Sequence, residues 1–293
     1  MENSINNMKH FLMIVNSFKD EGLRLTKEIM AYIETKGGSC TCFTSNGEER
    51  KNAAPNSENI PPETECVIVL GGDGTLIRAA AKLVHKNLPL IGVNLGTLGY
   101  LCELEEQNVF LAINQLMAGN YMVEERMMLE GQGVTGEADE ESTLALNDVV
   151  IHRTGALSVV NLIVYVNGAY LNTFHADGII VSTPTGSTGY NMSAGGPIVD
   201  PKAQMILITP INAHNLNSKS IVIGAEDEVM IEIGKRRYQK DETVEVSFDG
   251  DNAIQLRVGD RFLIHRADDT AKICKISRES FLEILRKKMQ AYT

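Results

Sequence analysis

The chain has 293 residues, 43% apolar and 22% charged, which suits one large or two modest globular domains and excludes collagen, coiled-coil and disordered chains. Its formal net charge is -11 and its pI about 5.1, with acidic side chains outnumbering basic ones in both halves, so DNA and RNA are poor candidates as partners. An anionic ligand must then be held by local backbone geometry and a few placed cations.

From the start, HFLMIVN (His10 to Asn16) reads as a strand, and its apolar core from Phe11 to Val15 is too short for a signal peptide or a membrane span. A helix follows, with Leu25, Ile29 and Ile33 at helical spacing and Gly37-Gly38 as its stop. SCTCFT is a second strand, the polar stretch from Ser45 to Glu63 a mobile loop, and CVIVL (Cys66 to Leu70) a parallel strand buried on both faces. TLIRAAAKLVHK, LPLIGVN and EEQNVFLAINQLMAG continue the alternation, which predicts an open, Rossmann-like α/β domain over residues 1–122 with right-handed crossovers. Beyond it, runs such as SVVNLIVYVNG, TVEVSFDG and NAIQLRVGDRFLIHR, broken by Gly, Asn and Asp, predict a mostly antiparallel β-sandwich over residues 123–268. Residues 269–293 form a helical tail, with Ser277 as its cap, that packs back on the first domain.

Five cysteines without Cys-x-x-Cys spacing argue against disulfides and structural zinc and for a reducing, cytoplasmic location. The six histidines form no ligand pattern. Three segments carry chemistry. The first is Gly71-Gly72-Asp73-Gly74-Thr75, directly after a parallel strand and before a helix, where ligands of open α/β sheets bind. Its glycines allow positive φ and close backbone approach, so that N–H groups and a helix amino terminus cradle phosphate. Asp73 conflicts with phosphate unless it binds Mg²⁺ or meets an attacking hydroxyl; the plain alternative is a tight turn in which Asp73 or Thr75 caps the helix. Neither a Walker lysine nor a G-x-G-x-x-G is present. Arg78, one helical turn on, comes within reach of a donor phosphate but reads as an exposed helix side chain. The second segment runs from Asp177 to Pro201, where hydroxyls alternate with glycines in a density that suits sugar, phosphate and base recognition. The third is Leu146-Asn147-Asp148-Val149-Val150, in which two polar residues interrupt an apolar strand and either face a ligand or cap a bulge.

Together, GGDGT, LNDVVIH and DGIIVSTPTGSTGYNMSAGGPI resemble the NAD kinases in order and separation, and the similarity reaches SFDGD near Phe248. GGDGT alone is shared with diacylglycerol-type lipid kinases, which leaves such a kinase, or a non-catalytic dinucleotide sensor, as the alternatives. The resemblance implies phosphorylation of the adenosine ribose 2′-hydroxyl of NAD by ATP or polyphosphate, with Mg²⁺ held through Asp73 and the donor phosphates. Carried over by residue, Asp73 is the catalytic carboxylate and Gly72 and Gly74 its phosphate-binding turn. Asn147 and Asp148 match the pair that holds the dinucleotide, and Asp177 the acid near the nicotinamide ribose. Thr188, Tyr190 and Ser193 match contacts around adenine, with Gly189 where the family commonly has Ala, and Tyr100 stands at an aromatic position beside the site. The resemblance also implies a homodimer or homotetramer.

Overall fold

The computed structural model describes residues 7–45, 55–96, 99–134, 142–154, 159–214, 218–235 and 243–291. Of the expected loop from Ser45 to Glu63, residues 46–54 lie outside the described residues. The chain divides into two compact units, Met1–Glu125 with Ala271–Thr293, and Arg126–Thr270.

In the first unit, β1 (His10–Asn16), β2 (Ser39–Ser45), β3 (Cys66–Gly71) and β4 (Leu90–Asn94) form a parallel sheet in the order β2-β1-β3-β4. The short β5 (Leu104–Glu105) pairs with the end of β4. β3 is buried along its whole length, which explains its unbroken apolar run. α1 (Arg24–Thr35) buries Leu25, Ile29 and Ile33, and with α3 (Val109–Met117) it covers the face that carries Met13, Val15, Ile68 and Leu70. α2 (Asp73–Leu83) packs through Leu76, Ala79, Ala80 and Leu83; a right-handed crossover that runs from β3 away from β1 puts it on the opposite face. Because the chain leaves β1 toward β2 and leaves β3 toward β4, the carboxyl ends of β1 and β3 flank the topological switch point, where such sheets open a crevice.

The second unit is a β-sandwich. Its strands are β6 (Met122–Gly133, from Arg126 onward), β7 (Thr143–Ala145), β8 (Asp148–Arg153), β9 (Val160–Val166), β10 (Ala169–Ala176) and β11 (Gly178–Ser182). β12 (Met205–Ile211), β13 (Ile221–Gly224), β14 (Val229–Gly234), β15 (Thr243–Phe248), β16 (Asp251–Arg257) and β17 (Arg261–Lys275, up to Thr270) complete it. One antiparallel sheet runs β13-β12-β11-β8-β15-β16 and the other contains β10-β9-β14-β17. Val149 and Ile151, Ile179 and Val181, Leu162 and Val164, and Phe262 and Ile264 fill the space between the sheets at two-residue spacing. Val150 and Ile180 point the other way, onto Ile211 and the partly buried Ala194. That second cover is why β11 is apolar without alternation. It is supplied by the segment after β11, which includes the single-turn α4 (Tyr190–Ser193).

The tail returns to the first unit. There the buried Glu103 carboxylate accepts the backbone N–H groups of Ile276 and Ser277 and lies 3.6 Å from the Lys275 ammonium. The cap of α5 (Phe281–Ala291) is Ser280 rather than the expected Ser277. Ser280 N–H donates to Glu283 Oε2 at 2.7 Å and Glu283 N–H to Ser280 Oγ at 3.3 Å, a reciprocal box that needs the Ser-x-x-Glu spacing Ser277 lacks.

Candidate functional site

The turn after β3 keeps its expected place but works by a different device. None of Gly71, Gly72 and Gly74 has positive φ, and Gly72 is extended (φ -162). A Cβ on Gly71 would stand 2.5 Å from Thr75 Oγ1 and one on Gly72 3.0 Å from Lys19 Nζ, whereas one on Gly74 would make ordinary contact with Arg78 Nη1 at 3.6 Å. Arg78 is half-buried and turned to this end of the helix, not a free surface side chain.

Asp73 is the first residue of α2, and Gly72 caps the helix without a side-chain bond, so the capping role expected as an alternative for Asp73 or Thr75 is not adopted. The Asp73 carboxylate reaches instead to the loop after β4. Oδ2 accepts the Tyr100 N–H at 2.6 Å, Oδ1 accepts the Cys102 N–H at 2.9 Å, and Leu101 N–H lies 3.3 Å from both oxygens. Gly99 makes this possible, because a Cβ there would sit 1.9 Å from Asp73 Oδ1. The Tyr100 ring lies under the Lys288 ammonium, 5.3 Å from its centroid, and lines a cavity of about 990 Å³ beside α3 and the tail. Asp73 does not line that cavity; this opening and the reactive turn are separate places.

In the second unit a cavity of about 760 Å³ brings together Asn147, Asp148, Asp177 and Tyr190, which were expected, with Asp249, which was not. Asp249 opens an Asp-Gly turn between β15 and β16 with φ +50 followed by Gly250 at +80, the geometry that favours this dipeptide. Its carboxylate points back across the sheet and accepts the N–H groups of Leu146 at 2.7 Å, Asn147 at 2.7 Å and Asp148 at 3.0 Å. The polar interruption of the strand is therefore a backbone turn clamped by one distant carboxylate. Asp177 is held by Arg153 Nε at 2.7 Å and Asn212 Nδ2 at 3.0 Å. The Asn212 amide and then the Arg153 guanidinium keep its carboxyl below the usual range.

The hydroxyl-rich run folds inward more than its composition suggests. Ser182, Thr183, Ser187 and Asn191 are fully buried and spend their side chains on the protein. Ser182 Oγ donates to Asn147 O, Thr183 Oγ1 to Leu146 O, Ser187 Oγ to Val199 O, and Asn191 Nδ2 to Pro197 O. Gly186 is pressed against the Asn147 carbonyl, 2.1 Å from where its Cβ would stand. Thr188 is half-buried, with Oγ1 3.4 Å from Thr185 O, and Ser193 is exposed; neither lines the cavity. Gly189 lies over the Asn147-Asp148 pair. A Cβ there would come 3.6 Å from Asn147 Nδ2 and 4.0 Å from Asp148 Oδ2, its tightest contact being 3.2 Å to Gly186 O, so the position has nearly the space an Ala needs. Two polar atoms here are buried without a hydrogen-bond partner, Asn147 Oδ1 and Thr185 Oγ1, a pattern expected of a site that completes its bonds on a ligand.

Burial raises the Asp148 carboxyl from the ordinary 3.8 to about 7, with the charge of Asp249 adding to it, and burial raises Asp249 to about 6. Both groups hold protons in the folded chain that the unfolded chain has released, so stability is full below about pH 4 and falls as pH rises through about 6 to 7. Each group contributes at most about 1.4 kcal/mol per pH unit in that window, and the two titrate together. Asp148→Asn removes the larger share. Urea midpoints measured at pH 5 and pH 8 should converge in this variant and diverge in the parent; parallel behaviour would show that burial of Asp148 carries no such penalty.

Residues 11–121 match the ATP-NAD kinase N-terminal domain and residues 146–276 the ATP-NAD kinase C-terminal domain. A NAD kinase of Agathobacter rectalis is 59% identical over 286 residues, covering 98% of this chain and all of the relative. The chain belongs to the NAD kinase family. A NAD kinase of Lachnospira eligens is 43% identical over 96% of the chain and all of that relative. Among solved structures, yeast NADH kinase complexed with NADH superposes with a TM-score of 0.84 at 21% identity, covering 97% of this chain and 88% of that one. A NAD kinase from Archaeoglobus fulgidus in complex with ATP gives 0.74 at 22%, covering 96% and 99%. At those identities the two structures attest the fold, an α/β unit with an antiparallel β-sandwich. Membership in the family, through both of its domains, replaces the lipid-kinase alternative.

Proposed function

We propose that this chain transfers a phosphoryl group from ATP, or from polyphosphate, to the 2′-hydroxyl of the adenosine ribose of NAD, forming NADP. Its relatives are named NAD kinases at up to 59% identity, and a solved structural neighbour is described in complex with ATP. The observation that carries the reading is the Asp73 carboxylate, fixed by backbone N–H groups of Tyr100, Leu101 and Cys102 beside a glycine turn at the end of β3.

In this reading the first unit handles the phosphorus and the second unit the dinucleotide. Phosphoryl transfer passes through a loose transition state with little bonding to the nucleophile, so alignment and charge neutralisation dominate. A carboxylate has about four lone-pair sites, and the N–H bonds occupy part of them while fixing the group. What remains suits a short, charge-assisted hydrogen bond from the ribose hydroxyl. That bond aligns the oxygen for attack on phosphorus, and the Asp73 carboxylate receives the hydroxyl proton as the O–P bond forms and the donor's bridging oxygen leaves with its electron pair. Gly72 and Gly74 let the donor approach the turn closely. Asn147, Asp148, Asp177, Tyr190 and the surface presented by Thr188, Gly189 and Ser193 hold NAD, and Tyr100, expected as an aromatic neighbour of the site, contributes its backbone N–H to Asp73 while its ring lies in the cavity beside α3.

Among the described residues, no three His, Cys, Asp or Glu side chains converge as a metal cage. A single carboxylate at a phosphate turn nevertheless fits Mg²⁺, which ordinarily takes one or two carboxylates beside phosphate oxygens and water. Asp73 is the residue to share it, and the ion would neutralise charge on the donor phosphates. All five cysteines are free, in keeping with work in a reducing cytoplasm, and no helix among the described residues is long and apolar enough to cross a membrane. The family resemblance further implies a homodimer or homotetramer.

The test is purified protein with NAD, Mg²⁺ and a panel of ATP, other nucleoside triphosphates and polyphosphate, read with an NADP-specific dehydrogenase. NADP should form with at least one donor; dinucleotide binding with no NADP from any donor would leave a sensor in place of an enzyme.

A further inference from the structure

The loop between β1 and α1 faces the reactive turn through Lys19. Its backbone is set tightly: Lys19 N–H and Asp20 N–H both donate to Asn16 O, at 2.9 and 3.3 Å. Asp20 turns its carboxylate into the start of α1, accepting Leu25 N–H at 3.0 Å and Thr26 N–H at 2.9 Å. Lys19 is left pointing across the switch point. Its ammonium is 3.0 Å from where a Gly72 Cβ would stand and 3.5 Å from the same point on Gly96, so glycine at position 72 leaves it close space while position 96 meets it in ordinary contact.

Among the described residues no carboxylate forms an ion pair with this cation. Asp20 is committed to α1, and Glu106 and Glu28 pair with Arg24. A cavity of about 860 Å³ opens here, lined by Lys19, Arg24 and Asn94 together with the acidic Asp20, Glu21, Glu105 and Glu106. Asn94, at the end of β4, is only 6% exposed. Its Nδ2 donates to Gly96 O at 2.6 Å, while Oδ1 is buried without a partner and lies 3.8 Å from the Gly72 Cβ point. The unsatisfied buried Asn94 Oδ1, beside the exposed Lys19 ammonium, marks a place whose hydrogen bonding is completed when something binds.

We propose that Lys19 is the cation that grips the phosphate chain of the donor, in a subsite formed by the loop after β1, the β3 turn and Asn94. This rests on the phosphoryl-transfer reading of the site and names the residue that supplies its positive charge. A chain of net charge -11 needs a placed cation to draw in a polyanion, and the switch-point crevice is where an open α/β sheet binds one. On donor binding, Asn94 Oδ1, which has no partner in this structure, takes one N–H of the ammonium and leaves the other two for the phosphate oxygens. Lys19 is thus a binding residue for the donor and not for NAD.

Lys19→Met and Lys19→Arg test it. With ATP varied at saturating NAD, Lys19→Met should raise the donor KM about tenfold or more, the loss of roughly one charge-assisted contact. With NAD varied at saturating ATP, its KM should stay within about twofold, and Lys19→Arg should keep most of the donor affinity. Calorimetry with inorganic tripolyphosphate and no NAD reads the subsite apart from turnover: the parent should bind, and Lys19→Met should bind about tenfold more weakly at an unchanged melting temperature. Tripolyphosphate binding that depends on Lys19 in a parent that makes no NADP would refute the NAD kinase reading while supporting the subsite. A parent that makes NADP, with a Lys19→Met variant equal to it in donor KM and tripolyphosphate affinity, would overturn the subsite alone. So would an equal rise in both KM values.

Discussion

Asp73→Asn should lower turnover by roughly 10²–10⁴-fold while the second unit still binds NAD. Two losses combine. The amide cannot accept the ribose proton, and its NH₂ must face either the Tyr100 N–H or the Cys102 N–H, which the two carboxylate oxygens now accept at 2.6 and 2.9 Å. One backbone donor is left without its acceptor, at a cost of about 1–3 kcal/mol, and faster amide exchange over residues 100–102 should report it. NAD affinity, measured by calorimetry, should change little. Turnover within tenfold of the parent would remove Asp73 from the chemistry and reduce it to a loop anchor.

The second large effect is expected far from the phosphorus. Asp249→Ala deletes the acceptor of three N–H groups at once, those of Leu146, Asn147 and Asp148. It also puts Ala at φ +50, where Asp and Asn are tolerated better. With hydrogen bonds to charged groups contributing about 1.5–3 kcal/mol each, and burial of the carboxylate offsetting part of that, stability should fall by about 3 kcal/mol or more. NAD affinity should drop with it, because the clamped turn presents Asn147 and Asp148. Asp249→Asn keeps the backbone conformation and one acceptor oxygen and should fall between the two. Chemical denaturation and NAD titration of both variants check this ordering; an Asp249→Ala protein as stable as the parent would mean that the clamp contributes nothing.

The scaffold of the first unit was readable because its signals are local. CVIVL is apolar throughout since β3 is buried on both faces, and Leu25, Ile29 and Ile33 repeat at the spacing α1 requires. Asp73 could be singled out for a similar reason, as a carboxylate in a glycine turn at the end of a parallel strand. The positive φ expected of those glycines is not adopted; a Cβ on Gly71 would stand 2.5 Å from Thr75 Oγ1 and one on Gly72 3.0 Å from Lys19 Nζ, and the second neighbour comes from another segment. Lys19 itself was invisible, because the loops after β1 and β3 become neighbours only once the strand order is β2-β1-β3-β4. Asp249 was hidden by its own motif. Asp-Gly reads as a hairpin turn, which it is, and nothing in the sequence links it to a backbone segment about a hundred residues earlier. Composition pointed to the hydroxyl-rich run as a recognition loop, yet Ser182, Thr183, Ser187 and Asn191 hold the fold together; no sequence pattern says which way a hydroxyl turns. Ser277 and Ser280 differ only in that a Glu stands three residues after the second, and that spacing was available to be read.

The proposed transfer requires the Asp73 carboxylate to meet the oxygen that becomes phosphorylated. A crystal structure with bound NAD measures this directly. The adenosine ribose 2′-oxygen should lie within about 2.6–3.2 Å of a carboxylate oxygen of Asp73, with the 3′-oxygen farther away. A 2′-oxygen outside hydrogen-bond reach of Asp73 in every subunit, with NAD well ordered, would contradict it.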